Sequence, residues 1–319
     1  MLYPSYLNLY KTGELIKRVE SAKKLLESCV ICPRKCRINR LKDEKGVCKT
    51  GRNAIVTSYF LHHGEEPPIS GTSGSGTIFF THCNLKCVYC QNYKLSQEGE
   101  GREVKKEELA EFMLELQHQG AHNINLVTPT HVMPQILEAL RVAIEKGLKI
   151  PLVYNTGGYE LVPILRLLDG IIDIYLPDMR YADALIAEKY SNAYDYPSFN
   201  QKAVKEMYRQ AGNAAINPNG VIEKGIIIRH LVLPNNIAGT EKILYFIKNE
   251  LSGQCHISLM SQYFPCYKTC EFPLINRRIS CEEYEIATGI MKKLGLTSGW
   301  VQESQGLARF AGLNIKPNV

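Results

Sequence analysis

Six short aliphatic runs alternate with helical patterns from Thr77 to the C-terminal region, and this alternation constrains the fold more than any other feature. The predicted strands cover residues 77–81, 123–128, 152–156, 171–176, 225–233 and 256–262. Apolar residues at helical spacing follow most of them, as at Leu109, Phe112, Met113 and Leu116. Strands that alternate with helices predict a parallel sheet covered by helices. Right-handed crossovers would curl this sheet into a partial (β/α)6 barrel.

Three cysteines follow the first of these strands. Cys83, Cys87 and Cys90 have Cys-x3-Cys-x2-Cys spacing, with Tyr89 before the third. Closely spaced thiolates are the ligands of iron–sulfur clusters, and three of them leave one iron of a [4Fe–4S] cluster open. An open metal position can bind a substrate or cofactor. A structural zinc loop is the alternative.

This motif resembles the signature of the radical S-adenosylmethionine (SAM) enzymes, whose fold is a six-unit open barrel. The resemblance implies that Cys83, Cys87 and Cys90 bind a [4Fe–4S] cluster and that Tyr89 contacts the adenine of SAM. It also implies reductive cleavage of SAM to a 5′-deoxyadenosyl radical, which abstracts hydrogen from a substrate. An electron donor of the flavodoxin or ferredoxin type is the expected partner.

Three later strand ends resemble the enzymes that activate glycyl radical enzymes such as pyruvate formate-lyase. The sequence has Asn155-Thr156 where that family has Asp-Thr, and Leu176-x-Asp178-x-Arg180 where it has Met-x-Asp-x-Lys. Arg229 matches an arginine that meets the SAM carboxylate. The resemblance implies that Asn155, Thr156 and Asp178 contact ribose or a cation, while Thr128, at the end of the second strand, could contact the SAM amino group. The whole chain resembles an uncharacterised branch of this group with an N-terminal cysteine motif.

Active residues of a parallel sheet lie at the carboxyl ends of its strands. His131 follows the second strand, and Gln262 and Tyr263 end the sixth. These three are the candidate catalytic or substrate-binding residues, although each could equally be an ordinary strand, loop or capping residue.

A second cysteine group precedes the barrel. Cys29, Cys32, Cys36 and Cys48 predict one tetrathiolate site, for either zinc or a second [4Fe–4S] cluster. The interleaved Arg34, Lys35, Arg37 and Arg40 are expected to form a solvated rim around this site. Cys255, Cys266, Cys270 and Cys281 have looser spacing and are more typical of unliganded thiols.

The Gly/Pro/Ser-rich stretch at residues 63–76 suggests the main domain boundary. We therefore expect a cysteine-rich module at 1–68, the barrel at 69–298 and an extension at 299–319, with a last strand near Trp300. Eleven cysteines and no secretory or membrane segment indicate a cytoplasmic protein with metal or redox chemistry. A net charge of +6 is compatible with ordinary solubility.

The sequence does not identify the substrate. It could be a protein or peptide, as for the activating enzymes, or a small molecule. A third possibility is a metal-dependent protein that binds or modifies tRNA or another nucleic acid through the Cys29–Cys48 region, although nucleic acid is not the expected partner.

Overall fold

The alternating strands form one ten-stranded sheet, most of it parallel. The computed structural model describes residues 3–302. The strands are β1 (Ala54–His62), β2 (Ser75–Phe80), β3 (Arg102–Val104), β4 (Ile124–Val127), β5 (Leu152–Thr156), β6 (Ile174–Pro177), β7 (Ala215–Ile216), β8 (Ile222–Leu231), β9 (His256–Met260) and β10 (Gly299–Val301). The six predicted strands are confirmed as β2, β4, β5, β6, β8 and β9, and they pair in parallel in that order.

The sheet stays open, with β3 at one edge and β10 at the other among the described residues. This arrangement is the expected partial barrel. β10 pairs in parallel with β9, which confirms a strand near Trp300. Residues 303–319, most of the predicted extension, lie outside the described range.

Ten helices accompany the sheet in the described chain. They are α1 (Tyr6–Lys11), α2 (Glu14–Lys24), α3 (Pro67–Ser70), α4 (Lys106–His118), α5 (Met133–Glu145), α6 (Val162–Arg166), α7 (Ala184–Ser191), α8 (Tyr196–Ala211), α9 (Thr240–Glu250) and α10 (Cys281–Lys293). Residues on one face of each longer helix join the main core, for example Leu15 of α2, Met113 of α4 and Leu140 of α5. Burial of these apolar side chains against the sheet is the dominant stabilising effect.

The N-terminal part of the chain joins the sheet as an antiparallel edge. β1 precedes the six predicted strands and pairs with both β2 and β3. The Gly/Pro/Ser-rich stretch at residues 63–76 contains the short helix α3, in which Pro68, Ile69 and Ser70 are buried. The predicted boundary between a cysteine-rich module at 1–68 and a barrel at 69–298 stays a prediction.

An apolar cluster fills the interior at the amino ends of the strands. Ile69 of α3 packs there with Val153, Ile174, Leu176 and Ile227. Beyond this cluster, the carboxyl ends carry buried polar side chains, among them Asn155, Thr156 and Asp178. This arrangement leaves the carboxyl ends for chemistry.

The helices α7 and α8 were not anticipated from the sequence. They fill the long connection between β6 and β8. Tyr190 of α7 and Tyr196 of α8 are fully buried over the carboxyl ends of the strands. No described helix is long and apolar enough to cross a membrane.

Candidate functional site

The loop that carries the first cysteine motif is positioned at its start and in its middle. His82, the residue after Thr81, adopts a left-handed backbone with φ of 70°, which turns the chain away from β2. Further along, Lys86 N donates to Ser191 O at 3.1 Å and Val88 N donates to Tyr190 O at 2.9 Å. The end of α7 therefore holds the middle of the loop.

Each of the three sulfur atoms has a polar neighbour. Leu85 N donates to Cys83 Sγ at 3.4 Å, and Ser191 Oγ donates to Cys87 Sγ at 2.9 Å. Cys90 Sγ lies 3.1 Å from Ser96 Oγ. Hydrogen bonds of this kind stabilise thiolates and tune the potential of a thiolate-bound cluster. The donor set therefore fits an iron–sulfur cluster.

Burial opposes ionisation of these thiols while no metal is bound. It raises the pKa of Cys83 to about 12 and that of Cys90 to about 11. A metal must therefore displace the protons when it binds. The guanidinium of Arg180, whose Nη1 lies 3.7 Å from Cys87 Sγ, supplies a positive charge beside the resulting thiolates.

A charged network joins three strand ends beside this loop. Arg229 of β8 donates from Nε to Asp178 Oδ1 at 2.8 Å and from Nη2 to Asn155 Oδ1 at 2.7 Å. Arg180 Nη2 donates to Asp178 Oδ2 at 2.6 Å. Glu65, which precedes α3, lies 3.7 Å from Arg229 Nη1. Three of the residues expected to bind SAM therefore meet in one hydrogen-bonded group.

Tyr89 lies in a buried group of aromatic rings. Its ring centroid is 6.3 Å from that of Tyr181 and 5.7 Å from that of Tyr263, both edge-on. Tyr263 Oη donates to Ile275 O at 2.6 Å, so its hydroxyl is engaged within the fold. The aromatic group provides an apolar wall that excludes water from one side of the site.

The other predicted residues occupy more varied places. Thr128 has a left-handed φ of 62°, an uncommon conformation for a β-branched residue at a strand end. Thr156 lies with Thr130 around Glu160, and both hydroxyls donate to Glu160 Oε1 at 2.5 Å. Burial raises the pKa of Glu160 to about 7. Gln262 lies at the edge of the sheet, where its Oε1 accepts from Gln302.

His131 points away from this group and toward the N-terminal cysteines. Its Nε2 bonds to Thr81 O at 2.8 Å, and it lines a small cavity together with Cys29, Cys32, Cys36 and Cys48. Burial lowers its pKa to about 3, so the ring is neutral. The structure therefore places His131 beside the second cysteine group.

One expectation about the N-terminal region is wrong. Arg40 was expected on a solvated rim but is completely buried. It begins a short 3-10 helix, and its guanidinium donates to two main-chain carbonyls in the interior. Lys35 and Arg37 are exposed as expected.

None of the eleven cysteines forms a disulfide. Within residues 3–302, no three or more His, Cys, Asp or Glu side chains converge as ligands of a single metal ion. A [4Fe–4S] cluster needs no such convergence, because each thiolate binds a different iron at a corner of the cube. Of the looser cysteines, Cys255 is buried, Cys270 and Cys281 are exposed, and Cys266 Sγ donates to Tyr89 O at 3.5 Å.

Several site residues were missed as functional candidates. Ser191 and Ser96 give no signal in the sequence, since only the folded loop brings them to the sulfurs. Glu65 lies in the Gly/Pro/Ser-rich stretch at residues 63–76, which was interpreted as a domain boundary. Arg180 belongs to a strand-end motif given above. Its positive charge was the sequence feature that could have indicated a place beside thiolates.

Comparisons with known proteins agree with this site. A model of the radical SAM superfamily matches residues 77–224, which begin in β2 and include the cysteine loop. Uncharacterized protein MJ0674 of Methanocaldococcus jannaschii is 32% identical over 303 residues, which are 91% of this chain and 82% of that protein. A second uncharacterized protein of the same organism, MJ0808, is 25% identical over 265 residues, or 77% and 73% of the two chains.

A solved structure shares the fold. The radical SAM methyltransferase from Sphaerobacter thermophilus superposes with a TM-score of 0.51 at 15% identity, covering 73% of this chain and 67% of that one. At this identity the likeness concerns the fold alone. It supports the open arrangement of parallel strands described above.

Proposed function

Because this chain belongs to the radical SAM superfamily of iron–sulfur enzymes, we propose that Cys83, Cys87 and Cys90 bind its [4Fe–4S] cluster and that SAM binds beside them. We further propose that the enzyme acts on a protein or peptide, in the manner of the enzymes that activate glycyl radical enzymes. When bound, the cluster and SAM would supply a primary carbon radical for hydrogen abstraction.

One observation carries the proposal for the SAM site. Asn155, Asp178 and Arg229 were assigned to SAM from separate strand ends, and the fold joins them by hydrogen bonds of 2.7 and 2.8 Å. The carboxyl ends of neighbouring strands converge at one edge of a parallel sheet, where ligands of this architecture bind. The three residues were proposed from one family resemblance but lie at separate strand ends, and their meeting in space supports a common ligand.

Arg229 is the residue for the carboxylate of SAM in this proposal. A guanidinium forms paired hydrogen bonds with a carboxylate, which a lysine cannot reproduce. Two of its nitrogens already hold Asp178 and Asn155, while Nη1 has only the longer 3.7 Å contact with Glu65. Nη1 is therefore the nitrogen with capacity for a ligand.

The surrounding residues would orient the ligand and exclude water. Tyr89 offers an apolar face for adenine, and Tyr181 and Tyr263 hold its ring from the edge. Arg180 links Asp178 to Cys87 and so joins the proposed SAM residues to the proposed cluster residues. A closed apolar wall protects a reactive intermediate from side reactions.

The enzyme requires a reductant and a substrate. A small flavodoxin or ferredoxin is our candidate for the reductant. The protein or peptide substrate rests on the resemblance of the strand-end motifs to the activating enzymes.

The test is SAM cleavage by the anaerobically reconstituted protein, with 5′-deoxyadenosine measured after addition of dithionite. We expect Cys83→Ala, Cys87→Ala and Cys90→Ala each to abolish the product, because three thiolates are needed to hold the cluster. Cys281→Ala changes an exposed thiol and is the matched control. Product from any of the three variants at the rate of the unmodified protein would refute the assignment.

A further inference from the structure

A buried arginine in the N-terminal region lacks a counter-charge. Arg40 has no exposed surface, and its Nε and Nη1 donate to Gly51 O at 3.1 Å and His131 O at 2.7 Å. Its Nη2 has no partner, and no described carboxylate pairs with it. An uncompensated buried charge costs several kcal/mol, roughly, so this site should contain an anionic group.

That group can be located. Arg40 lines a small cavity whose wall also contains Cys29, Cys32, Cys36 and Cys48. Arg34 and His131 complete one side of the cavity, and Arg34 Nη2 and His131 Nδ1 are likewise buried without partners. Three unpartnered polar atoms around four thiols indicate an occupant that the polypeptide alone does not provide.

The backbone is shaped around the same cavity. Lys35 and Arg37, on either side of Cys36, have left-handed φ angles of 42° and 55°. A Cβ at Gly46 would lie 2.7 Å from Cys36 Sγ, so only glycine allows this approach. Turns that combine left-handed and ordinary residues direct N–H groups into anion-binding hollows, including iron–sulfur sites.

We infer that Cys29, Cys32, Cys36 and Cys48 hold a second [4Fe–4S] cluster, and that the negative charge of this centre balances the buried guanidinium of Arg40. Four thiolates give such a centre a net negative charge, which matches the charge that Arg40 lacks. The inference concerns metal binding alone and does not depend on SAM cleavage.

Zinc is the alternative occupant, since four thiolates around one zinc ion would also carry a net negative charge. Zinc sites more often have two paired Cys-x2-Cys segments, whereas Cys29, Cys32 and Cys36 lie close together in the sequence and Cys48 is remote. This spacing favours the cluster, and the metal content measured below distinguishes the two.

The second centre would lie directly behind the first loop. Arg34 Nε donates to Asn84 O at 2.9 Å, which connects the cavity wall to the residue after Cys83. His131 connects the same wall to Thr81 O.

The experiment uses the full chain with Cys83, Cys87 and Cys90 all changed to alanine, so that only the second site can bind iron. After anaerobic reconstitution we expect about four irons and four sulfides per chain, with absorption bleached by dithionite. Adding Cys32→Ala should remove them, whereas adding Cys255→Ala, a buried thiol elsewhere, should not. Zinc in place of iron, or no metal in the triple variant, overturns the inference.

A second variant tests the charge balance without removing a ligand. Arg40→Gln in the triple variant should make the cluster harder to reduce, because a buried positive charge that favours the reduced form is lost. Arg52→Gln, at an exposed arginine of the same region, should leave the reduction potential unchanged. An equal potential in both variants would refute the role of Arg40. The inference would survive a protein that binds iron at this site but yields no 5′-deoxyadenosine.

Discussion

Arg229 illustrates how a single residue connects the proposed chemistry with the fold. It is the point at which β5, β8 and the residue after β6 share hydrogen bonds. Its side chain is 18% exposed, so its interactions are strengthened by a surrounding of low polarity. A change here should affect ligand binding before it affects the rest of the sheet.

We predict that Arg229→Ala weakens SAM binding about tenfold or more, since a hydrogen bond to a charged group contributes roughly 1.5–3 kcal/mol. Calorimetry of the oxidised, reconstituted protein with SAM measures this affinity. Arg229→Lys should recover part of the loss, and Arg209→Ala, at an exposed surface ion pair, should have no effect. Unchanged affinity in Arg229→Ala would place this arginine outside the SAM site.

The residue scale also shows what sequence reasoning could not reach. The three cysteines can be proposed as ligands from the sequence because closely spaced thiolates have a specific chemistry. Asp178 and Arg229 were proposed only from the resemblance of their strand ends to a known family. The position of His131 beside the second cysteine group was not predicted, because a strand end has two sides and the sequence does not say which side a following residue faces. The burial of Arg40 was missed for a similar reason, since an arginine between exposed basic residues gives no sign of burial.

At the scale of elements, the parallel strands were the most predictable part. Each is a run of aliphatic residues bounded by turn residues, and all six were found with shifts of up to three residues. The helices α7 and α8 were missed because both lie in the long connection between β6 and β8, outside the simple alternation of one strand with one helix. The edge strand β3 has three residues, too few to give a period.

The first turn of α10 is stabilised by a capping box and an ion pair. Ser280 and Glu283 form a capping box at the start of α10, and Glu283 also accepts from Arg277 and from Asn235 N. The hydrogen bond from Arg277 is the main cause that lowers the pKa of Glu283 from 4.5 to about 2. A carboxylate with a lowered pKa stabilises the fold above its unfolded pKa, and this contribution is lost as the pH falls through the folded value.

We therefore predict that Glu283→Gln lowers the free energy of unfolding by about 1 kcal/mol at pH 7. The difference from the unmodified chain should narrow below pH 4.5 and approach zero near pH 2. Urea unfolding of the metal-free chains at a series of pH values measures it, because acid also displaces thiolate-bound metals. A difference that stays constant with pH would show that the charge of Glu283 contributes nothing.

At the scale of the whole molecule, the sheet and the core pass across the predicted boundary at residue 68. β1 covers the edge of β2, and Leu15, Val19 and Leu26 contribute to the main core. Residues 1–68 therefore share one sheet and one core with the barrel. Their proposed role as a module concerns metal binding. The Gly/Pro/Ser-rich composition of residues 63–76 suggests a domain boundary, but it does not reveal that α3 is buried in the interior.

We predict that a chain starting at residue 69 is insoluble or unfolded, because it exposes the edge of β2 and the core surface under α2. Circular dichroism and size-exclusion chromatography of this truncated chain provide the measurement. Adding residues 1–68 as a separate polypeptide should restore some folded complex. A monomeric, cooperatively folding truncated chain would establish the barrel as an independent domain.

The connection made by Arg34 has a consequence for how the two cysteine regions respond to metal. Arg34 lines the cavity of the second cysteine group, lies 5.3 Å over the ring of Tyr159 and donates to Asn84 O of the first loop. Metal bound in either region would therefore restrict the same side chain. The two regions would then become rigid together instead of one at a time.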